Sequence, residues 1–289
     1  MKTALENLKK EICSLPKKSE ISSEQYKNFV DNCVVALMTG GESSRFKEVE
    51  GANDTHKNSF KLPNNDTMLE MTIRMYKDAG IKNFAALVYY EADTIKDLLG
   101  DGSKMGIHIS YSYDPGHPVG KGGAIKNAIV NGAIPNNKNL IVHNPDDVII
   151  NYKGSFPKDI IAGHIQGTLE GNIATVVIVE ETPYAFTGMK INKGQVSQIE
   201  MYPMVPIPTH IGVTIFSPES FELFDKLFDL NKKSDFEKIL FPILSEEKKL
   251  YATTIPNNCW LAVNNLKTYR ELVNYLITES SNFTDSSKV

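Results

Sequence analysis

The sequence predicts an α/β fold built on a Rossmann-like, doubly wound and mostly parallel sheet, with a short N-terminal helical extension. Two observations support this prediction. Short apolar segments rich in β-branched residues alternate along the chain with segments of helical periodicity, as strands and crossover helices do in parallel sheets. The first apolar segment, CVVALM at 33–38, ends abruptly before two glycines, which is typical of a buried strand followed by a ligand-binding loop.

Composition limits the classes of partner. The 289 residues, 41% of them hydrophobic, can form one large core. A net charge of −4 leaves no excess of positive charge for a nucleic-acid backbone or an anionic membrane, so we expect neither partner. The three cysteines form no C-x-x-C pair, and the first residues lack the apolar run of a signal peptide or membrane span. We therefore expect a cytoplasmic protein, and a homo-oligomer is compatible with the sequence.

The predicted elements follow in chain order. Leu5, Leu8 and Ile12 share one helical face, and Ser22 with Gln25 resembles a capping box that begins a second helix. Beyond the first strand, helices are predicted at 66–80, 93–99, 123–130 and 158–169, and strands at 84–90, 108–113, 140–143 and 173–179. Later, short strands are predicted around 189, 196 and 213, helices at 218–228, 235–245 and 266–276, and a frayed polar end.

The segment TGGESSRF, 39–46, directly follows the first strand. Paired glycines, Gly40 and Gly41, let backbone N–H groups approach a phosphate, and Arg45 adds a planar guanidinium suited to phosphate oxygens. Taken alone, the segment fits an ordinary Gly-Gly turn with a solvated arginine equally well. The spacing cannot be written as G-x-G-x-x-G, which argues against a dinucleotide-dependent dehydrogenase.

Lys57 and Lys61 follow, just before a helix that opens with Leu-Glu. This order of strand, Gly-Gly loop, arginine, lysine and helix resembles the N-terminal signature of the sugar-phosphate nucleotidylyltransferase family, also called NTP-transferases or NDP-sugar pyrophosphorylases. The resemblance implies the fold type of the nucleotide-diphospho-sugar transferases. It also implies that the glycine loop and Arg45 bind a triphosphate, and that Lys57 stabilises charge developing at the α-phosphorus. Lys61 is the weaker candidate for that catalytic role.

The segment DPGHPVGKGGAIKNAI, 114–129, is similar to the family's Pro-Leu-Gly-Thr-Ala-Gly-Ala segment, which closes over the nucleobase. The resemblance implies nucleotide-binding roles for Asp114, Gly122 and Gly123. We expect Gly120, Gly122 and Gly123 to form a flexible loop whose following helix presents N–H groups to the nucleotide. A glycine-rich helix start that binds nothing is the alternative.

The segment LIVHNPDDV, 140–148, resembles the family's Asn-x-Asp strand end. The resemblance implies that Asp146 is the Mg²⁺ ligand and that Asp147 is its exposed neighbour. Mg²⁺ commonly takes one or two carboxylates and completes its coordination with phosphates and water, so a single well-placed aspartate is chemically sensible. A simple Asn-Pro-Asp-Asp turn is the alternative interpretation.

Weaker similarities and two departures concern the acceptor side. The resemblance implies substrate-binding roles for Gly188, His210 and Gly212. Tyr202 stands where the family has the lysine of its Glu-Lys-Pro turn, which holds the sugar phosphate, and Ala262 stands where the family has its second metal-binding aspartate. The sequence therefore leaves open how the acceptor is bound, and Asp147 or Asn264 are candidates to assist Asp146.

The matches cover about 33–269 and imply a Mg²⁺-dependent nucleotidylyltransferase of EC 2.7.7 type. It would transfer an NMP from an NTP to a sugar 1-phosphate, or a similar phosphate ester, and release pyrophosphate. A catalytically weak nucleotide-binding regulatory homologue and a metal-dependent glycosyltransferase remain the alternatives. The expected domains are the extension (1–32), the nucleotidylyltransferase domain (33–278, with a nucleotide half to about 180 and a sugar-phosphate half from about 181) and a polar tail (279–289).

Overall fold

The computed structural model of the chain describes residues 1–16, 20–42, 46, 49 and 56–286. Its helices are α1 (Lys2–Ile12), α2 (Ser23–Asp31), α3 (Met68–Asp78), α4 (Ala92–Leu99), α5 (Gly120–Val130), α6 (Phe156–Leu169), α7 (Phe221–Leu227), α8 (Phe236–Glu246) and α9 (Leu266–Ser286). Its strands are β1 (Cys33–Met38), β2 (Asn83–Val88), β3 (His108–Tyr113), β4 (Asn139–His143), β5 (Asp147–Ile149), β6 (Ala174–Val179), β7 (Thr182–Pro183), β8 (Thr187–Asn192), β9 (Gln195–Met201), β10 (Met204–Val205), β11 (Thr209–Phe216), β12 (Leu250–Thr254) and β13 (Trp260–Ala262).

The described residues contain a seven-stranded sheet in the order β12-β6-β11-β4-β1-β2-β3. Strand β1 is parallel to both β2 and β4, with Val35 opposite Phe84 on one side and Ile141 on the other. Strand β11 is antiparallel to its neighbours β4 and β6. The result confirms the predicted mostly parallel α/β sheet, and it puts the carboxyl ends of β1, β2 and β4 at one edge.

Both faces of the sheet are buried, which explains the continuous apolar runs in its central strands. On one face, Val35 and Leu37 pack with Leu69 and Ile73 of α3. The other face carries Val34 and Ala36 and is covered by α5, α7 and α8. Helices on both sides of one sheet are the doubly wound arrangement that the alternation of segments predicts.

Capping residues in the sequence predict the starts of several helices correctly. The capping box of α2 is confirmed, because Ser22 Oγ accepts from Gln25 N at 3.1 Å and Gln25 Oε1 accepts from Ser22 N at 2.9 Å. Thr67 caps α3 in the same way, together with Glu70. Phe29 of α2 is 6% exposed and belongs to the core, so this helix is tied to the sheet rather than projecting from it.

Other boundaries were wrong for identifiable reasons. Helix α5 begins at Gly120 instead of 123, so the predicted flexible loop at 120–123 is the first turn of a helix. Helix α9 continues to Ser286 where a frayed end was predicted, since no Gly or Pro interrupts 277–286. Strand β12 at the sheet edge was missed. None of the helices in the described part of the chain is long and apolar enough to cross a membrane.

The buried His164 should make stability depend on pH. Its ring hydrogen-bonds with Thr175 Oγ1 at 2.9 Å and Ser217 Oγ at 3.2 Å, and burial lowers its pKa to about 3. The unfolded chain, with a pKa near 6.5, binds the proton more tightly than the folded state. The stability that neutral His164 contributes is therefore complete above pH 6.5 and is lost as pH falls towards 3.

We expect His164→Gln to reduce the slope of unfolding free energy against pH between 6.5 and 4, measured by urea denaturation. The remaining slope comes from other buried histidines, such as His143. His108→Gln is the matched control, because the His108 side chain is exposed and lies outside the buried His164 network, and it should change the slope less than His164→Gln does. Equal slopes for wild type and His164→Gln would contradict this account.

Candidate functional site

A cleft of about 590 Å³ opens at the carboxyl edge of the sheet. The loop after β1 contributes Gly40 and Gly41, and the loop after β3 contributes Asp114. Asp146 follows β4, and Asn264 follows β13. These five residues, all candidates from the sequence, line one cavity although they span more than two hundred positions of the chain.

The glycine loop is anchored to the neighbouring strand. Thr39 is fully buried, and both its backbone N and its Oγ1 donate to the carbonyl oxygen of Leu87, at 3.0 and 2.9 Å. This pair of hydrogen bonds fixes where Gly40 and Gly41 leave the sheet. Arg45 lies outside the described residues, so its contact with a phosphate stays a prediction.

Lys57 and Asp146 form an ion pair beside the cleft. Lys57 opens a short 3-10 turn, at the start of which His56 Nδ1 accepts from Asn58 N at 3.1 Å. Lys57 Nζ lies 2.5 Å from Asp146 Oδ2, and the two side chains are 12% and 19% exposed. The predicted catalytic lysine and the predicted metal ligand are therefore in direct contact although 89 residues separate them in sequence.

Asp147 is not the exposed neighbour that the sequence suggested, because it is only 9% exposed. Its Oδ2 accepts from Asn144 Nδ2 at 3.0 Å, and its Oδ1 accepts from Trp260 Nε1 at 2.9 Å. Burial, and then the charge of Asp146, raise the pKa of Asp147 to about 7. Both oxygens are thus used by protein donors, which leaves Asp146 as the better metal ligand of the two.

Two further contacts fix Asp147 from behind. His143 Nε2 donates to the carbonyl oxygen of Asp147 at 3.0 Å, so His143 Nδ1 accepts from the hydroxyl of buried Tyr76 at 2.9 Å. Gly212 lies at an irregularity of β11 with φ +73°, and a Cβ there would stand 1.9 Å from Asp147 Oδ2. Gly212 therefore makes room for the Asp147 carboxylate and does not line the cleft.

Few of the described side chains could hold a metal ion at this cleft. The described residues contain no group of three or more His, Cys, Asp or Glu side chains arranged to hold a metal ion. Ala262 lies directly opposite Asp147 in the β13–β5 pair. Its side chain is a methyl group, so this position of β13 provides no second carboxylate. Of the residues that the sequence suggested as ligands, Asp146 and Asn264 line the cleft without a second carboxylate from β13. Two such oxygen donors would suit Mg²⁺ only if phosphates and water complete its shell.

Helix α5 does not form the glycine loop that the sequence predicted around the nucleotide. Gly122 and Gly123 are buried in the helix, and a Cβ on them would stand 2.0 Å from the Phe228 ring and 2.7 Å from Val119 Cβ. Close packing therefore accounts for both glycines, and nucleotide binding by them stays a prediction. Asp114 Oδ2 accepts from Val119 N at 3.2 Å, while burial raises its pKa.

The structure does not bring the remaining predicted substrate residues to the cleft lining. Gly188 lies on the β8–β9 hairpin and packs against Pro203, where a Cβ at Gly188 would stand 2.8 Å from the proline ring. His210 Nε2 donates to Val213 O at 3.0 Å, and burial lowers the pKa of His210 to about 4. Because this nitrogen is engaged within its own strand, His210 is a poor donor to an acceptor phosphate.

Sequence reasoning missed other residues of the cleft. Lys121 lies in the first turn of α5, Tyr89 follows β2, and Lys233 and Asp235 come from the loop before α8. A basic residue inside a glycine-rich segment is a signal that could have identified Lys121. No motif marks Lys233 or Asp235, whose approach to the cleft depends on the packing of α8 against the sheet.

Comparison with known proteins gives a family match and several similar relatives. A family model described as Nucleotidyl transferase matches residues 34–279. Mannose-1-phosphate guanylyltransferase catalytic subunit beta of Danio rerio is 22% identical over 81% of this chain and 61% of the relative. The low-salt glycan biosynthesis nucleotidyltransferase Agl11 of Haloferax volcanii is 26% identical over 66% of this chain and 51% of the relative. The chain thus spans between half and about three fifths of these relatives.

A solved structure gives the same picture of the fold. UDP-glucose pyrophosphorylase complexed with UDP-glucose superposes with a TM-score of 0.63 at 14% identity, covering 85% of this chain and 98% of that protein. At this identity the likeness concerns the architecture alone. It agrees with the mixed α/β sheet described above.

Gly212 offers a test of the Asp147 framework. We expect Gly212→Ala to lower the free energy of unfolding by about 2–4 kcal/mol, because the new methyl group displaces the buried carboxylate and also strains the backbone. Gly171→Ala is the matched control: its φ is +88° but its Cβ would meet nothing within 4 Å. It should cost only about 1 kcal/mol of backbone strain. Equal losses in urea denaturation would refute the contact.

Proposed function

The chain belongs to the nucleotidyl transferase family, and from this premise we propose that it transfers a nucleoside monophosphate from an NTP to a sugar 1-phosphate. The observation that carries the proposal is the contact between Lys57 and Asp146 at a cleft that begins with a glycine loop. Separating this pair would give one cation for phosphate oxygens and one carboxylate for a divalent ion. That combination suits chemistry at a triphosphate.

The charge of the cleft supports a requirement for Mg²⁺. Among the described side chains that line it, Glu42, Asp114, Asp146, Asp147 and Asp235 are acidic, whereas two lysines are basic. An NTP and a sugar phosphate are both polyanions, so this lining would repel them without added cations. Bound at Asp146, Mg²⁺ would neutralise phosphate charge as a Lewis acid.

The proposed reaction is an in-line displacement. An oxygen of the acceptor phosphate forms a bond to the α-phosphorus, while the bond from that phosphorus to the oxygen shared with the β-phosphorus breaks. Pyrophosphate leaves with the electron pair, and no covalent intermediate with the protein forms. The chain's own contribution is to hold the two anions together and to place Lys57, and by prediction Arg45, where negative charge develops.

Two other functions remain candidates on specific observations. Ala262 and Tyr202 lack the groups that the family resemblance implies for metal and sugar-phosphate binding, which favours a regulatory homologue that binds nucleotides without turnover. Adjacent Asp146 and Asp147 would suit a metal-dependent glycosyltransferase, but Asp147 is buried and hydrogen-bonded. The names of the relatives specify different reactions, so the nucleobase and sugar stay proposals, as does a cytoplasmic location.

A panel of NTPs against sugar 1-phosphates, with and without Mg²⁺, tests the function directly. We expect pyrophosphate release that depends on both substrates and on Mg²⁺, and GTP with mannose 1-phosphate is the first pair to measure. Calorimetry with the same ligands separates the alternatives. Nucleotide binding without pyrophosphate would favour the regulatory homologue, and sugar transfer without NTP consumption would favour the glycosyltransferase.

Lys57→Ala should lower turnover by about 10²–10³-fold, because it removes a cation at the reacting phosphate. Lys61→Ala is the matched control, since Lys61 pairs with Glu70 at 2.9 Å, whereas Lys57 pairs with the cleft residue Asp146. It should retain wild-type turnover. Asp146→Asn should instead raise the Mg²⁺ concentration needed for half-maximal rate. Unchanged turnover in Lys57→Ala would contradict the catalytic role that we assign to Lys57.

A further inference from the structure

The acceptor phosphate needs a cation that the predicted position does not supply. Tyr202 is 59% exposed, lies in a turn at φ +49° after the β8–β9 hairpin, and is not among the described cleft residues. Within the described lining, the basic side chains are Lys121 and Lys233. Lys57 pairs with Asp146, and the proposed function assigns it to the α-phosphorus.

Several contacts hold Lys121 in place at the N-terminal end of α5. Its backbone N donates to Asp235 Oδ1 at 3.2 Å, and the N–H of the next residue donates to Ser234 O at 3.0 Å. Its ammonium group contacts a carboxylate oxygen of Glu237 and lies 5.4 Å from the ring centre of Phe236. The side chain is 32% exposed, so it is ordered by these contacts while still reaching the cleft.

The charge of Lys121 acts on both halves of the site. Burial lowers the pKa of Lys121, while the charges of Asp235, Asp147 and Asp146 oppose that shift. On the other side, Lys121 is one of the causes that lower the pKa of His210 on β11. Lys121 lines the same cleft as Asp146 and Asp147, so its side chain can reach a ligand bound beside those carboxylates.

We propose that Lys121 binds the phosphate of the sugar 1-phosphate and so replaces the cation that the hairpin lacks. This inference rests on the proposed function and adds the residue that holds the acceptor. Glu237 shares the ammonium group when no substrate is bound, and its second oxygen, Oε2, is buried without a hydrogen-bond partner among the described residues. One oxygen thus holds the lysine, which leaves ammonium hydrogens available for phosphate oxygens.

The test compares Lys121→Met and Lys121→Arg with two controls. Lys126→Met lies on the same helix, but Lys126 Nζ pairs with Asp225 at 3.2 Å and is not among the described cleft residues. Lys233→Met removes the other lysine of the cleft, which is exposed. Initial rates are measured over a range of sugar 1-phosphate at saturating NTP, and then with the two roles exchanged.

We expect Lys121→Met to raise the KM for the sugar phosphate about tenfold or more, with the KM for NTP changed less than about threefold. Lys121→Arg keeps the positive charge and should recover most of the acceptor affinity. Lys126→Met should match wild type. An unchanged acceptor KM in Lys121→Met, or a larger effect in Lys233→Met, would overturn the assignment.

The outcome separates this inference from the proposed function. Pyrophosphate release by the wild type reports on the function, whereas the ratio of the two KM values reports on Lys121. If the wild type releases no pyrophosphate, calorimetric titration with mannose 1-phosphate compares wild type with Lys121→Met. Loss of binding in the variant supports Lys121 as the anion site, and equal binding rejects it.

Discussion

The buried carboxylate of Asp147 is the constraint on which the rest of the site depends. Removing a carboxylate from water is costly unless hydrogen bonds replace its hydration, and here side-chain donors from Asn144 and Trp260 do so. His143 fixes its backbone, and Gly212 gives it space. With the Asp147 side chain held inward, Asp146 is the member of this adjacent pair that is available to contact cations at the cleft.

The same constraint links distant parts of the chain. Trp260 can reach Asp147 because β13 pairs with β5, and Gly212 adjoins Asp147 where β11 departs from regular pairing with β6. The site is therefore assembled by the sheet and its flanking strand pair together. The strands that hold Asp147 thus also help to determine where the adjacent Asp146 lies.

Sequence patterns predicted the parts of the molecule that depend on neighbouring residues. The run of β-branched residues in β1 and the capping box of α2 carry their signal locally, and the structure confirms both. The aspartate after β4 lines the cleft, and its role as a metal ligand stays a prediction. Burial of Asp147 was not predictable in this way, because its partner Trp260 lies 113 residues further on. The contact of Lys121 with Glu237 likewise depends on α8 docking against α5. Arg45 lies in a part of the chain that the structure leaves undescribed.

The β8–β9 hairpin and α5 differ in how firmly they are held, which explains why a cation for the acceptor phosphate would lie on α5 and not on the hairpin. Strands β8 and β9 form a two-stranded ribbon exposed along most of its length, and such a ribbon is marginally stable by itself. Helix α5, by contrast, packs Ala124 and Ile125 into the core. A charge on α5 keeps its distance to Asp146 because both are tied to the same sheet. Since electrostatic stabilisation needs groups that are already in place, the rigid helix is the better support.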